Sequence, residues 1–168
     1  MHRAVSSDSK PGRDAILFNK GVGGRWVEVY FPALFYDTLP VDFSPIGTLV
    51  RDGIDVWGLD FRWHLVPAGT GNFDFMAGWG LATTVDDTRF TVRFARFLRL
   101  LECSGFARMV ISGWSSGVPL AYAVTSVDSQ QKKGQRDIRA LIGFDYLFKI
   151  DPTDQPALDF ICPALAGE

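Results

Sequence analysis

The stretch ARMVISGWSSGVPLAYA, at residues 107–123, decides the fold that this sequence predicts. It opens with an apolar run at 109–111 that has the length and branching of a buried strand. A sharp turn follows at 113–117, with Ser115 at its apex, and small and apolar residues then continue at helical spacing. Glycines two positions to either side of a serine let a strand and a helix approach closely enough to expose the serine hydroxyl. Ser115 is therefore our candidate nucleophile.

The pentapeptide GWSSG is a weak signal by itself, because a chain with 17 glycines forms G-x-S-x-G by chance at an appreciable rate. A strand before the turn and a helix after it strengthen the interpretation. The alternative is a tight strand-to-helix turn in a parallel sheet, with a serine that takes no part in chemistry.

The composition is that of a globular protein and argues against several classes of partner. A chain of 168 residues fits one domain with a substantial core. The formal net charge of −2 gives no electrostatic case for binding nucleic acid or an anionic membrane. No apolar run reaches the roughly 18 residues that span a bilayer, and the polar residues 1–14 lack the apolar middle of a secretory signal. We therefore expect a cytoplasmic protein with no membrane span.

No metal or cofactor motif is present, so we expect no cofactor. The glycines at 21–24 form a turn, and they lack the Lys-Ser/Thr pair that ends a phosphate-binding loop. Cys103 and Cys162 lie far apart without metal-like spacing, and we expect two buried free thiols rather than one disulfide. The 14% of aromatic residues favours a large aromatic core, and the alternative is an apolar acyl or aromatic pocket over the turn.

Hydrophobic periodicity predicts strands that alternate with helices. The strands are expected at 15–18, 25–34, 54–60, 109–111 and 138–147, and the helices at 43–52, 84–103 and 118–127. Ser44 is the expected N-cap of its helix, and Gly53 is the expected left-handed residue after it. This order predicts an α/β fold with a three-layer, mostly parallel sheet, and the long loop at 61–81 is a plausible pocket rim.

The helix at 84–103 carries two regular sets of side chains. Its apolar stripe predicts the face that packs on the core, and its basic residues predict a solvated face rather than a phosphate-binding edge. Thr84 with Asp87 resembles a capping box. The stripe consists of Phe90, Phe94, Phe97, Leu98 and Leu101, and the basic residues are Arg89, Arg93, Arg96 and Arg99.

Three blocks of this sequence resemble the α/β-hydrolase fold family, over residues 27–151. Residues 53–62, GIDVWGLDFR, resemble the family's fourth strand and the loop after it, Asp86 and its helix match the helix before the nucleophile, and 113–117 matches the nucleophile elbow. The resemblance implies an α/β-hydrolase type of sheet, incomplete at its C-terminal edge. It divides the chain into a flexible tail at 1–14, a partial core at 15–150 and an irregular segment at 151–168.

The resemblance also implies ester, thioester or amide chemistry on a small apolar or acyl substrate. Ser115 would attack a carbonyl, the backbone N–H of Ser116 would supply half of the oxyanion hole, and the turn at Ala33 and Leu34 would supply the other half. Asp145 ends the strand after the elbow, a position that some family members use for the acid, and the alternative is that it caps a loop.

The expected catalytic histidine has no counterpart after Ser115, because His2 and His64 are the only histidines. His64 lies in a turn where the family's histidine is ordinarily not catalytic, and strand order separates it from Ser115 by roughly 10 Å. The alternative is that a long loop closes this gap and His64 acts as the base. We therefore expect a weak or inactive serine hydrolase. The alternative is a non-catalytic scaffold that binds an apolar ligand or a protein partner. A sheet ending at 138–147 would expose an apolar edge, so we also expect self-association there.

Overall fold

The computed structural model describes residues 1–6, 14–40 and 43–146, together with Thr153 and Gln155. The described residues form a mixed sheet with the strand order β1-β3-β2-β4-β5. Its strands are β1 (His2–Ala4), β2 (Ala15–Asn19), β3 (Asp55–Gly58), β4 (Met109–Trp114) and β5 (Ile138–Phe144). The last four are parallel to one another, and β1 runs antiparallel to β3.

The α-helices of the described residues are α1 (Trp26–Tyr30), α2 (Pro45–Arg51), α3 (Leu81–Leu101) and α4 (Gly117–Ser129). Together with the sheet they define an α/β class fold, as the sequence predicts. The predicted start and end of α2 are confirmed, because Ser44 Oγ accepts a hydrogen bond from the Gly47 N–H at 2.9 Å and Gly53 has a φ of 79°.

The core lies on both faces of the sheet. Successive side chains of a strand point to opposite faces, so Ala15 and Leu17 join one apolar cluster while Ile16 and Phe18 join the other. The first cluster packs the sheet against α3 and α4, and the second packs it against α1 and α2.

A buried carboxylate joins β1, β3 and α3. Asp55 and Arg99 are both fully buried, and Arg99 Nε donates to Asp55 Oδ2 at 3.1 Å. Arg3 adds hydrogen bonds of 2.9 and 3.0 Å to the two oxygens of the same carboxylate. Burial lowers the pKa of Arg99, and the charge and hydrogen bond of Asp55 oppose that effect.

The structure replaces the strand expected at 25–34 with α1 and a 3₁₀ turn at Pro32–Leu34. Trp26 and Tyr30 lie four residues apart and are both buried, which is helical spacing rather than strand spacing. The N–H of Trp26 donates to Asp60 Oδ1 at 2.6 Å, and this distant partner holds the start of the helix.

The expectation of a flexible tail at 1–14 is wrong for the first residues, because His2–Ala4 form a strand that pairs with β3. The Arg3 contacts with Asp55 hold this strand in place. Residues 7–13 lie outside the described part of the chain, as do residues 147–152 and almost all of the segment at 151–168.

The predicted inner face of α3 is also wrong. Phe90, Phe97 and Leu101 are exposed, Phe90 to 68%. The helix starts at Leu81 behind Gly80, so Thr84 is not its cap, and Asp87 bonds to Arg62 instead. The residues that α3 buries are Val85, Thr88, Thr91, Val92, Ala95, Arg96 and Arg99.

α3 buries polar residues because each of them finds a hydrogen-bond or charged partner inside the fold. Arg99 reaches Asp55, and Arg96 pairs with Asp137 and lies over the Phe106 ring, 3.9 Å from its centroid. Thr88 Oγ1 donates to the carbonyl of Thr84 at 2.8 Å, four residues back along the helix. The prediction that the four arginines form a solvated face is therefore wrong for Arg96 and Arg99, which are buried.

The C-terminal edge of the described sheet is β5, whose Ile142 is 51% exposed. Self-association along this edge stays a prediction. Cys103 is exposed, so the expectation of a buried thiol is wrong there, and Cys162 lies outside the described residues. Within the described ranges, none of the helices has the length and apolar character that crossing a bilayer requires.

We predict that Asp55→Asn lowers the free energy of unfolding by about 3–5 kcal/mol, because it removes the buried negative charge that pairs with Arg99 and Arg3. Urea unfolding followed by circular dichroism would measure the change. The control is Asp52→Asn at an exposed position, which we expect to change stability by less than about 0.5 kcal/mol. Equal effects of the two substitutions would contradict the structural role of Asp55.

Candidate active site

The turn between β4 and α4 is strained at the serine that the sequence singles out. Ser115 has a φ of 51°, in the left-handed region, which costs a non-glycine residue about 1 kcal/mol or more. The carbonyl of Ser115 accepts the N–H of Val118 at 2.9 Å, so the helix begins immediately after it. The predicted arrangement of strand, sharp turn and helix is confirmed.

Two glycines beside the serine allow three backbone segments to meet. A Cβ atom on Gly113 would overlap the backbone of Gly117. A Cβ atom on Gly117 would lie 2.5 Å from the carbonyl oxygen of Asn19, at the end of β2. Glycine is therefore required at both positions by close approach, and the approach brings the end of β2 against the turn.

The segment after β2 lies beside Ser115. A Cβ atom on Gly21 would lie 3.0 Å from Ser115 Cβ and 3.4 Å from Ser115 Oγ. The proposed oxyanion residues Ala33 and Leu34 lie instead in the 3₁₀ turn after α1. Their assignment assumed a strand at 25–34, and the strand that neighbours β4 is β2. The turn directly after that strand contains Gly21 and Val22.

Two backbone N–H groups near the serine lack backbone partners. In the part of the chain that the structure describes, no backbone carbonyl accepts the N–H of Val22 or of Ser116. Ser116 occupies the N-cap position of α4, where amides are unpaired and the helix dipole is positive. Both residues line the same cavity. Two N–H groups beside a nucleophile are the components of an oxyanion hole.

That cavity has a volume of about 330 Å³ and mostly apolar walls. The loop expected to form a pocket rim, at 61–81, supplies half of the lining. Phe61 is buried, and its ring lies 4.4 Å from the Trp63 ring, centroid to centroid. The lining residues are Gly21, Val22, Phe61, Trp63, Trp79, Gly80, Leu81, Thr84, Ser116 and Leu120.

Asp145 lies at the same edge of the sheet as the serine but binds a different group. Its Oδ2 accepts the Trp114 Nε1–H at 2.6 Å, and its φ is 56°. The preceding residue, Phe144, accepts the N–H of Ser115 at 3.4 Å, which brings the end of β5 next to the turn. The structure therefore brings Asp145 near Ser115, with its carboxylate directed at the indole.

His64 lies in the 3₁₀ turn at Arg62–Leu65 and packs beside the Trp63 ring, 5.8 Å between centroids. Its Nδ1 is buried, and no atom of the described residues bonds to it. Across the same described ranges, Ser115 Oγ has no hydrogen bond to a histidine or a carboxylate. The nucleophile and a base are therefore not joined in this structure.

The other histidine belongs to a pair that sequence reasoning missed. His2 Nε2 lies 2.6 Å from Asp60 Oδ2, and the His2 ring stacks on Trp26. Burial raises the pKa of Asp60, but the hydrogen bonds from the Trp26 N–H and from His2 outweigh it and leave the pKa lowered. Three strand spacings, about 14 Å, separate β1 from β4, so this pair holds β1 and α1 rather than serving Ser115.

Sequence reasoning also missed the residues that follow β2. The signal was present in the run NKGVGG at 19–24, directly after a short apolar strand. If the strand before this run had been placed next to β4, the run would have indicated a backbone turn beside Ser115.

No family model, curated protein or solved structure matches this chain. The fold and site define an α/β protein with a serine on a strained strand-to-helix turn. The assignment of function therefore depends on the geometry around Ser115.

We predict that Gly117→Ala lowers the free energy of unfolding by about 1–3 kcal/mol, because its methyl group would overlap the Asn19 carbonyl. Gly134→Ala is the matched control, since a Cβ atom there would meet nothing within 4 Å. Chemical unfolding of both variants would measure the difference. A Gly117 variant as stable as the control would contradict the close approach.

We predict that the Asp60 carboxylate stabilises the fold above pH 4 and that this contribution is lost in acid. Because the folded-state pKa of Asp60 is lowered, its stabilisation is present above the unfolded pKa of about 3.9 and disappears as the pH falls through the lower folded value. Asp60→Asn should therefore lower stability at pH 6 and flatten the acid dependence below about pH 4. Unfolding curves of the wild type and of Asp60→Asn, measured from pH 6 to pH 2, would show this. If the free energies of unfolding of the two proteins changed in parallel with pH, the prediction would be refuted.

Proposed function

We propose that this chain is a serine hydrolase-like protein of the α/β-hydrolase type that acts on an ester, thioester or amide. One observation carries the proposal: Ser115 lies on a strained turn, and the neighbouring residues Val22 and Ser116, whose N–H groups no backbone carbonyl of the described residues accepts, line an apolar cavity. An idle serine in an ordinary strand-to-helix turn needs neither the strain nor the adjoining cavity.

The sheet supports the same assignment. The strand that ends at the serine, β4, has parallel neighbours on both sides, and apolar clusters pack helices against both faces of the sheet. Open α/β sheets bind their ligands outside the carboxyl ends of the parallel strands. Ser115, the turn after β2 and Asp145 all lie at that edge.

In the proposed chemistry, Ser115 Oγ attacks the carbonyl carbon of the substrate and transfers its proton to a base. The C=O double bond opens to an oxyanion, which accepts hydrogen bonds from the N–H groups of Ser116 and Val22. The C=O bond then re-forms as the bond to the leaving group breaks, and the protonated base gives its proton to the departing alcohol, thiol or amine, which leaves an acyl ester on Ser115. Water then attacks this ester, and its hydrolysis releases a carboxylic acid and restores the Ser115 hydroxyl. Asp145 would orient the base.

The base determines how fast this chemistry proceeds. Ser115 Oγ forms no hydrogen bond with a histidine in the described ranges, and a triad without one member typically loses most of its rate while retaining the contribution of the oxyanion hole. We therefore propose weak activity for the chain as given.

The residues of the cavity wall favour a substrate with an apolar acyl group. Aromatic and aliphatic side chains of Phe61, Trp63, Trp79, Leu81 and Leu120 form most of it, and none of the described residues that line it is charged. Burying a charged group there would cost several kcal/mol without a partner. A neutral acyl or aromatic group is the substrate part that fits.

The second candidate is a non-catalytic scaffold that binds an apolar ligand in the same cavity. The unpartnered Ser115 hydroxyl and the buried, unbonded Nδ1 of His64 favour this alternative among the described residues. Such a protein would bind a neutral apolar amide but would not form a covalent bond with a serine-directed reagent.

The test is covalent labelling by a fluorophosphonate probe, which reacts with a serine that a base and an oxyanion hole activate. We expect slow labelling of the wild-type chain and none of Ser115→Ala. Ser126→Ala, at an exposed serine of α4, is the matched control and should label like wild type. Absence of labelling in a folded sample, with hexanamide still quenching tryptophan fluorescence, would favour the scaffold and overturn the hydrolase proposal.

A further inference from the structure

We infer that Lys20 is a positioning residue for the oxyanion turn: its buried ammonium holds the carbonyls of Gly21 and Gly23 so that the N–H of Val22 faces the cavity. The role in catalysis depends on the proposed function, and the geometry of the turn does not.

Lys20 is fully buried at the end of β2, in the segment that lies against Ser115. Its Nζ donates to the carbonyl of Gly23 at 2.8 Å and to that of Gly21 at 3.3 Å. Nζ also lies 5.0 Å from the centroid of the Phe61 ring, which lines the cavity. The ammonium therefore sits behind the cavity wall and is not exposed in it.

The planarity of the peptide bond converts these contacts into an orientation. In a trans peptide the C=O of one residue and the N–H of the next point in opposite directions. Because the Gly21 carbonyl points at Nζ, the Val22 N–H points away from it. Val22 lines the cavity beside Ser116, and no backbone acceptor in the described ranges takes this N–H.

Side-chain packing does little to hold Val22 and Gly23, in the middle of the turn. Gly23 and Gly24 have φ values of 90° and 41°, which reverse the chain sharply. A Cβ atom on Gly23 would meet nothing within 4 Å, and the Val22 side chain is 84% exposed. The hydrogen bonds from Lys20 therefore supply the restraint that packing does not.

The positive charge of Lys20 also affects the N–H groups of the turn. Burial lowers the pKa of Lys20, while Asp60 after β3 and Glu28 on α1 oppose that effect. A carbonyl that accepts a hydrogen bond from a cation becomes more polarised, which makes the N–H of the same peptide a stronger donor. The ammonium thus favours negative charge on the cavity side of the turn.

The test compares Lys20→Met with Lys133→Met. Methionine keeps an unbranched apolar side chain and removes the ammonium, and Lys133 is an exposed lysine that serves as the control. Circular dichroism and a two-dimensional ¹H–¹⁵N spectrum would verify that both variants fold. In Lys20→Met we expect the amide signals of Val22 and Gly24 to shift or broaden, and those of the α3 amides to stay in place.

The catalytic readout is the dependence of the fluorophosphonate labelling rate on probe concentration. Loss of one aligned donor slows acyl transfer by about 10²–10³-fold, so we expect the maximal rate for Lys20→Met to fall by at least about 10-fold. The probe concentration that gives half the maximal rate should change by less than about twofold, because ground-state binding uses the apolar wall. A purely structural effect would not separate these two quantities.

The outcomes separate the two proposals. Shifted Val22 and Gly24 amides with slower labelling would support the inference in full. Shifted amides in a protein whose wild-type form is never labelled would support the role of Lys20 in the turn and overturn the hydrolase proposal. Unchanged amides, or shifted amides with an unchanged labelling rate, would overturn the inference.

Discussion

The contact between the start of α4 and the end of β2 is the constraint on which the site depends. Gly117 lies against the Asn19 carbonyl with no space for a Cβ atom. This approach brings the segment after β2 alongside the turn of Ser115, and so places the proposed nucleophile of one crossover next to backbone amides of another. Strained residues persist where the surrounding structure over-determines them, and the close backbone contacts at Gly113 and Gly117 do this for Ser115. Without that approach, the serine and the Gly21–Val22 peptide would belong to separate loops.

Buried charges hold the layers that support this edge. Asp55 connects β3 to α3 through Arg99 and to β1 through Arg3, and Asp137 connects the start of β5 to α3 through Arg96. Such pairs rarely add stability compared with apolar residues of the same volume, but they fix which residues meet. In this protein they determine the rotation of α3. The aromatic side chains of that helix therefore face outward, including the stacked rings of Phe90 and Phe94.

Local signals allowed much of the fold to be predicted, and distant partners explain the rest. The helix α2, which Ser44 caps, and the turn at Ser115 depend on residues within a few positions, so both could be predicted from the sequence. The short helix at Trp26 depends on Asp60, and the first strand depends on Asp55 and Asp60, far along the chain. The inner face of α3 depends on Asp55 and Asp137 in the same way. The turn at Gly21 was missed for a related reason, because locating it required knowing which strand lies beside β4.

The crowding at Gly113 and Gly117 has a consequence for how this protein can diversify. Where main chains touch, no new side chain can be introduced without moving the backbone, so the nucleophile turn is closed to gradual change. The wall formed by Trp63, Trp79 and Leu81 has no such limit, because these side chains come from a loop segment and the first residue of α3. Selection for a new specificity, natural or in the laboratory, would therefore act on the wall and leave the turn untouched. The turn is therefore fixed by backbone contact, whereas the cavity wall can accept new side chains without moving the backbone.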